Sequence, residues 1–186
     1  MMTKAPLFAV SFCGGDGSQW RVSAMTCVAG EPLAPVSGMD IVASHLTGSA
    51  SWPWVLRGTA GHVRYTKQLE VQDPVARKPE PGRAGATSAA LIPIRKTDAW
   101  WLLAQDERRQ IMEEDSHHIA QSMKYLPAIA RRLYHSRDLG EPFDFLTWFE
   151  FAPEHSGLFD ALVAGLRATR EWDFVDREVD IRLACA

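Results

Sequence analysis

Two adjacent histidines, His117 and His118, and two adjacent arginines, Arg131 and Arg132, are the residues of this 186-residue chain whose types and spacing invite chemistry. A neutral imidazole ligates a transition metal or relays a proton. A guanidinium holds an anion with a charge that does not titrate. On a helix, positions three, four and seven apart share a face. His118 then lies with Ile111, Glu114 and Tyr125, beside Ile119, and points inward. His117 shares its face with Gln110, Glu113, Gln121 and Lys124 and points to water. An inward helical histidine is more often a satisfied core residue than a ligand, and spacing does not choose between the two arginines. A third pattern is the alternation Phe143, Phe145, Thr147, Phe149, Phe151, four rings with one hydroxyl among them. At the two-residue period of a strand these share a face, either a plain core face or one wall of a pocket for a large flat ligand. Cys13, Cys27 and Cys185 contain no C-x-x-C pair, which argues against a disulfide framework or a zinc site.

The elements that must position these residues follow from periodicity. Leu7–Phe12 and Trp20–Met25 flank Gly14-Gly15-Asp16-Gly17 and read as a hairpin. A further strand pair is expected at Trp52–Gly58 and His62–Lys67. Val71–Ala86, with Pro74, Pro79 and Pro81, reads as a long loop. Thr87–Lys96 is strand-like, and Pro93 predicts an edge or bulged position there. From Asp106 the period becomes helical, with acid at the N-terminal end. The helix is expected to run to about Tyr125, with Pro127 opening a second helical stretch that ends near His135. Phe143–Phe151 reads as strand, Pro153–Arg170 as helix and Trp172–Leu183 as strand. The order β-α-(α)-β-α-β is that of an α+β domain with helices on an antiparallel sheet.

Composition narrows the classes. The chain carries 20 Lys+Arg against 23 Asp+Glu, a net charge of −3, with 46% hydrophobic and 23% charged residues. This excludes disorder and disfavours a broad nucleic-acid surface. No apolar run approaches the roughly 18 residues of a membrane span. The N-terminal apolar run Ala5–Cys13, broken by Pro6, lacks a signal-peptide layout, so a cytoplasmic protein is expected.

Longer stretches carry a family likeness. These are Ala89-Ala90-Leu91-Ile92-Pro93-Ile94-Arg95-Lys96, Trp100-Trp101, Asp106-Glu107-Arg108-Arg109, Ser116-His117-His118, Lys124 to Arg131, His135 to Glu150, and Glu171-Trp172. With them the chain resembles the chlorite dismutase family, in its short-chain, dimeric branch. The likeness is strong from about Thr87 to Leu183 and weaker before it. It implies two ferredoxin-like halves, residues 1–86 truncated and β-rich and residues 87–186 holding a haem pocket. It also implies a homodimer and a haem b (iron) oxidoreductase that converts chlorite into chloride and dioxygen.

Position by position, the resemblance makes His118 the proximal iron ligand, with Glu171 and Lys96 in its hydrogen-bond network. Arg131, thirteen residues on (131 − 118 = 13), matches the distal arginine. A permanent cation suits chlorite, which arrives as an anion and needs no base to deprotonate it. Arg132 is then expected to be a solvated neighbour. Thr147 and Phe149 match distal positions, while Trp100 and Tyr65 match residues at the haem propionates. Trp101 is expected to serve packing. The chain departs from the family pattern at Lys78, where a glutamine often accepts from the distal arginine, and at Gly61-His62-Val63. A lysine repels a guanidinium, so Arg131 is expected to be more mobile than in a typical member. The departures motivate an alternative, a haem-binding protein with weak peroxidase or haem-handling activity and little chlorite turnover.

Overall fold

The computed structural model describes residues 9–48, 51–60, 81–117, 121 and 124–186. Among the described residues, eight strands form one antiparallel sheet: β1 (Ala9–Gly15), β2 (Trp20–Ala29), β3 (Gly38–Val42), β4 (Trp54–Ala60), β5 (Ser88–Lys96), β6 (Ile129–His135), β7 (Phe145–Phe151) and β8 (Val175–Cys185). The sheet closes into a barrel in the order β1-β3-β2-β8-β5-β7-β6-β4. Helices bounded within the described residues are short, among them α1 (Asp98–Leu102), α2 (Gln105–Arg109), a π-helical turn (Gln110–Asp115) and α3 (Ser156–Arg167). The α+β class holds, with the sheet as a single closed barrel. None of the described helices is long and apolar enough to cross a membrane.

Alternation along the strands builds two cores. Val10, Phe12, Trp20, Met39, Leu56, Leu91, Tyr134, Trp148 and Ile181 represent a cluster to which all eight strands contribute, so it fills the barrel. The opposite face of β5, β6 and β7 carries Ala90, Ile92, Ile129, Phe149 and Phe151, covered by Phe159, Leu162, Val163 and Leu166 of α3. Those four helical residues recur at i, i+3, i+4 and i+7, the spacing of a single buried stripe.

Several expectations are corrected. The hairpin of β1 and β2 does not form. β3 lies between them, pairing with both, and β4 takes the other edge of β1. A hairpin signal is local and blind to a strand supplied some twenty residues later. Here Asp40 Oδ1 draws that strand in by accepting the N–H groups of Ser18 and Gln19, each at 2.8 Å. The insertion also requires two glycines, since a Cβ on Gly38 would stand 2.2 Å from the carbonyl oxygen of Gly17.

Pro93 is neither at an edge nor at a bulge. β5 is interior, pairing with β7 and β8, and the missing proline N–H is accommodated by an interruption of the β8 ladder at Ile92 and Pro93. The expected helix from Asp106 breaks early. The Ser116 N–H reaches back five residues to the Ile111 carbonyl (3.1 Å), and His117 takes a left-handed φ of 50°. The stretch ending at His135 is strand β6, because continuous seven-residue pairing with β7 outweighs local helical preference. Phe143 precedes β7 and packs in the barrel core, which leaves Phe145, Phe149 and Phe151 on the aromatic face. The strand expected at Trp52–Gly58 is β4; its expected partner at His62–Lys67 lies outside the described residues.

Candidate functional site

Strand register settles which side chains share a face. Directly opposed residues of antiparallel neighbours point the same way. Arg131 pairs with Phe149, Phe149 with Ala90, and Thr147 with both Leu133 and Ile92. Arg131, Thr147 and Phe149 therefore share the barrel's outer face with the core beneath α3. Arg132 pairs with Trp148 and points the other way, into the barrel, where it hydrogen-bonds Tyr134. It is half-buried, not the expected solvated neighbour.

At the end of β5 the same face carries Lys96. Its Nζ donates to Glu171 Oε1 at 2.9 Å and to the Glu171 carbonyl at 3.3 Å. The ammonium also lies 4.6 Å from the Trp100 ring centroid and 5.4 Å from that of Trp172. Two aromatic faces thus replace part of the water a cation loses on burial. The Glu171 N–H is taken by Ser116 Oγ at 3.1 Å, while Arg170 bridges Asp115 at 2.6 Å. Glu171 is held by its N–H, its carbonyl and its carboxylate together.

Burial dominates the electrostatics. It pushes the Lys96 pKa below its usual value, with Glu171 opposing through charge and hydrogen bonding. It also lowers the pKa of Arg131, whose guanidinium feels the charges of Glu171 and Glu113. A guanidinium so placed remains charged. Glu171 is therefore a buried anion interacting with two cations, buried Lys96 on β5 and half-buried Arg131 on β6.

Thr97 Oγ1 caps α1, accepting from the Trp100 N–H at 3.4 Å, and so turns Trp100 under the site. Trp100 is 1% exposed, and its indole Nε1–H has no partner among the described residues. A buried donor left unsatisfied costs on the order of 1–3 kcal/mol. A carboxylate such as a haem propionate is the acceptor this geometry lacks, so the residues present fit the expected group. Trp101, by contrast, packs: it stacks on Phe145 (centroids 6.1 Å apart, 23° between planes) and donates to Asp144 Oδ2 at 3.3 Å.

The structure brings together Lys96, Trp100, Arg131, Thr147, Phe149 and Glu171. His118, Tyr65 and Lys78 lie outside the described residues. Neighbouring His117 is exposed, as its predicted solvent face requires. Phe149 packs on Phe159 of α3, with ring centroids 5.0 Å apart. Two residues were missed by sequence reasoning. Buried Asp144 accepts the Lys96 N–H at 2.7 Å and pairs with Arg137 at 3.3 Å. Its signal was an acid set between Phe143 and Phe145. Ser116 gave none beyond its place before the two histidines.

With this geometry in hand, the chain can be set beside known proteins. The family model described as chlorite dismutase matches residues 40–185. A dimeric chlorite dismutase from Nitrobacter winogradskyi, known as a crystal structure, is 55% identical; the match covers 95% of this chain and 99% of that one, with a TM-score of 0.87. A chlorite dismutase from Candidatus Nitrospira defluvii, solved with imidazole, is 17% identical with a TM-score of 0.67 over 97% of this chain and 92% of that one, a likeness of fold alone. A curated chlorite dismutase from Ideonella dechloratans is 33% identical over 97 residues, 48% of this chain and 32% of the relative, so the aligned stretch spans about a third of that protein.

Proposed function

Because the chain belongs to the chlorite dismutase family, we propose that it decomposes chlorite to chloride and dioxygen with haem b. The observation that carries this reading is the half-buried guanidinium of Arg131, which shares a sheet face with Thr147 and Phe149 and interacts with the Lys96-paired carboxylate of Glu171. Bound haem supplies a redox-active iron at which ClO2⁻ becomes Cl⁻ and O2, a balanced change needing no outside oxidant.

The chain's own residues divide the remaining work. His118 ligates the iron. Glu171 accepts from the ligand's other ring nitrogen and makes it more electron-donating. Lys96 fixes the Glu171 rotamer. Trp100 and Tyr65 hold the propionates, Trp100 through an indole N–H that has no partner among the described residues. Arg131 binds the chlorite anion and retains chlorine oxyanions until reaction is complete; a peroxidase would need a proton acceptor at that place instead. Thr147 and the aromatic face exclude water, so the cation acts at low dielectric.

The finer architecture is part of the same reading. The strand order β4-β1-β3-β2 in one half repeats as β8-β5-β7-β6 in the other. Each is a fourth, first, third, second order, as in a ferredoxin-like unit. This supports two such halves, residues 1–86 truncated and β-rich and residues 87–186 with the haem pocket, in a cytoplasmic homodimer.

An oxygen electrode tests the activity. Haem-loaded protein is expected to release one O2 per chlorite, far faster than free haem. A rate equal to that of free haem, with a haem absorption band present, would instead favour the haem-binding alternative that Lys78 motivates.

A further inference from the structure

Ser116 sits two residues before His118, at the end of the π-helical turn, and is 2% exposed. Its backbone N–H bonds the Ile111 carbonyl at 3.1 Å, closing the wide turn. Its hydroxyl accepts the Glu171 N–H at 3.1 Å. One position earlier in each segment the contacts stay in step: Asp115 meets Arg170 at 2.6 Å as Ser116 meets Glu171. The two segments, 55 residues apart in sequence, are therefore tied at consecutive positions, once at the surface and once in the interior.

We infer that Ser116 is a positioning residue, a strap that sets the Glu171 carboxylate relative to the backbone leading into His118. This inference rests on the haem site proposed above. The physical argument is one of compounded restraint. Lys96 fixes the Glu171 carboxylate from β5, and the Glu171 and Asp144 groups that its ammonium and backbone N–H bond lie outside the turn over residues 110–116. A buried bond between that turn and the Glu171 backbone restrains the acid against the backbone leading into His118. Ser116 Oγ supplies it, and a buried hydroxyl with a backbone N–H partner holds its rotamer tightly. Without it the Glu171 N–H loses its acceptor and the carboxylate can drift from the imidazole. The ligand nitrogen then becomes less basic and the iron is more easily reduced.

The test compares haem-loaded parent, Ser116→Ala, Ser116→Cys and Ser116→Thr by rate of haem transfer to an excess of a haem-scavenging apoprotein and by ferric/ferrous midpoint potential. Partners behind a ligating histidine change metal affinity about 10–100-fold, so Ser116→Ala is expected to lose haem about tenfold faster, with a higher potential. Thr keeps the hydroxyl and is expected to restore parent values on both measures. Should the alanine variant not fold, the cysteine variant, close in shape but a weak acceptor, carries the same expectation. Removal variants within twofold of the parent in haem loss, at unchanged potential, overturn the strap while leaving the haem site standing. A parent that takes up no haem overturns both.

Discussion

The Lys96 ammonium lies 2.9 Å from the Glu171 carboxylate, with the two side chains 1% and 3% exposed. This is a fully desolvated pair, and its energetics differ from those of a surface salt bridge. Dehydrating both charges costs several kcal/mol per ion, and mutual attraction repays that only where further partners share the load. Here the Trp100 and Trp172 rings and the Glu171 carbonyl take part on the lysine side, and Ser116 fixes the backbone of the acid. A pair that adds little net stability yet is so fully supported points to a role in positioning.

The pair's two halves are therefore expected to be costly apart and dispensable together. Glu171→Ala leaves the Lys96 charge buried without its carboxylate and should lower unfolding free energy by about 3–5 kcal/mol. The double variant Lys96→Met, Glu171→Met should recover to within about 1 kcal/mol of the parent, because no charge of the pair is stranded. Urea denaturation of the haem-free proteins measures both. A double variant as unstable as the single one would mean that the pair itself holds the fold.

Lys96 also sets a pH dependence. Burial holds its folded-state pKa below the usual 10.5. In the window between the lowered value and 10.5 the unfolded chain binds this proton more tightly than the folded one, so stability rises with pH. Below the folded pKa both states are protonated and the cost is constant. Relative to Lys96→Met, the parent should gain stability as pH is raised from about 7 to about 10. Denaturation midpoints across that range give the sign, and a parent that loses ground would contradict the burial argument.

Trp100 separates holding the group from holding the fold. Its indole N–H has no partner among the described residues, so Trp100→Phe removes no bond within the described part of the haem-free protein. Thermal melting without haem should shift by the equivalent of less than about 1 kcal/mol. A hydrogen bond to a charged acceptor contributes about 1.5–3 kcal/mol, which at 1.4 kcal/mol per decade makes haem loss roughly 10–100-fold faster. Equal haem-loss rates in parent and variant would remove Trp100 from the propionate site.

How much of this was legible in the sequence depended on whether the signal was local. The helix expected over Pro153–Arg170 and the strand expected over Phe143–Phe151 are short-range patterns, and α3 and β7 form within them, with Phe143 left outside β7. β6 was misread as helix because its strand state is fixed by pairing with β7, which composition does not display. Yet that error concealed the feature that separates the two arginines. On a helix they would lie about 100° apart, whereas on a strand they point to opposite faces, Arg131 toward the site and Arg132 into the barrel. The family likeness chose Arg131, and the strand supplies the physical reason. Ser116 could not be found from sequence, since its partner lies 55 residues away.

Arg131 shows where function and stability pull apart. Burial depresses its pKa, so the folded protein bears a net desolvation cost for this charge despite Glu171 and Glu113. Arg131→Met keeps most of the side-chain volume and removes the cost. The haem-free variant should match the parent or exceed it by about 1 kcal/mol. It should retain haem, since the guanidinium is assigned to the anion and not to the cofactor, and lose about 10²–10³ in oxygen release from chlorite. His118→Ala gives the complementary pattern, a folded protein that no longer keeps haem. Melting curves, the haem absorption band and the oxygen electrode separate these outcomes. An Arg131→Met protein that loses haem or stability while its remaining holoenzyme turns over normally would place the arginine in the scaffold and leave chlorite without a binding cation.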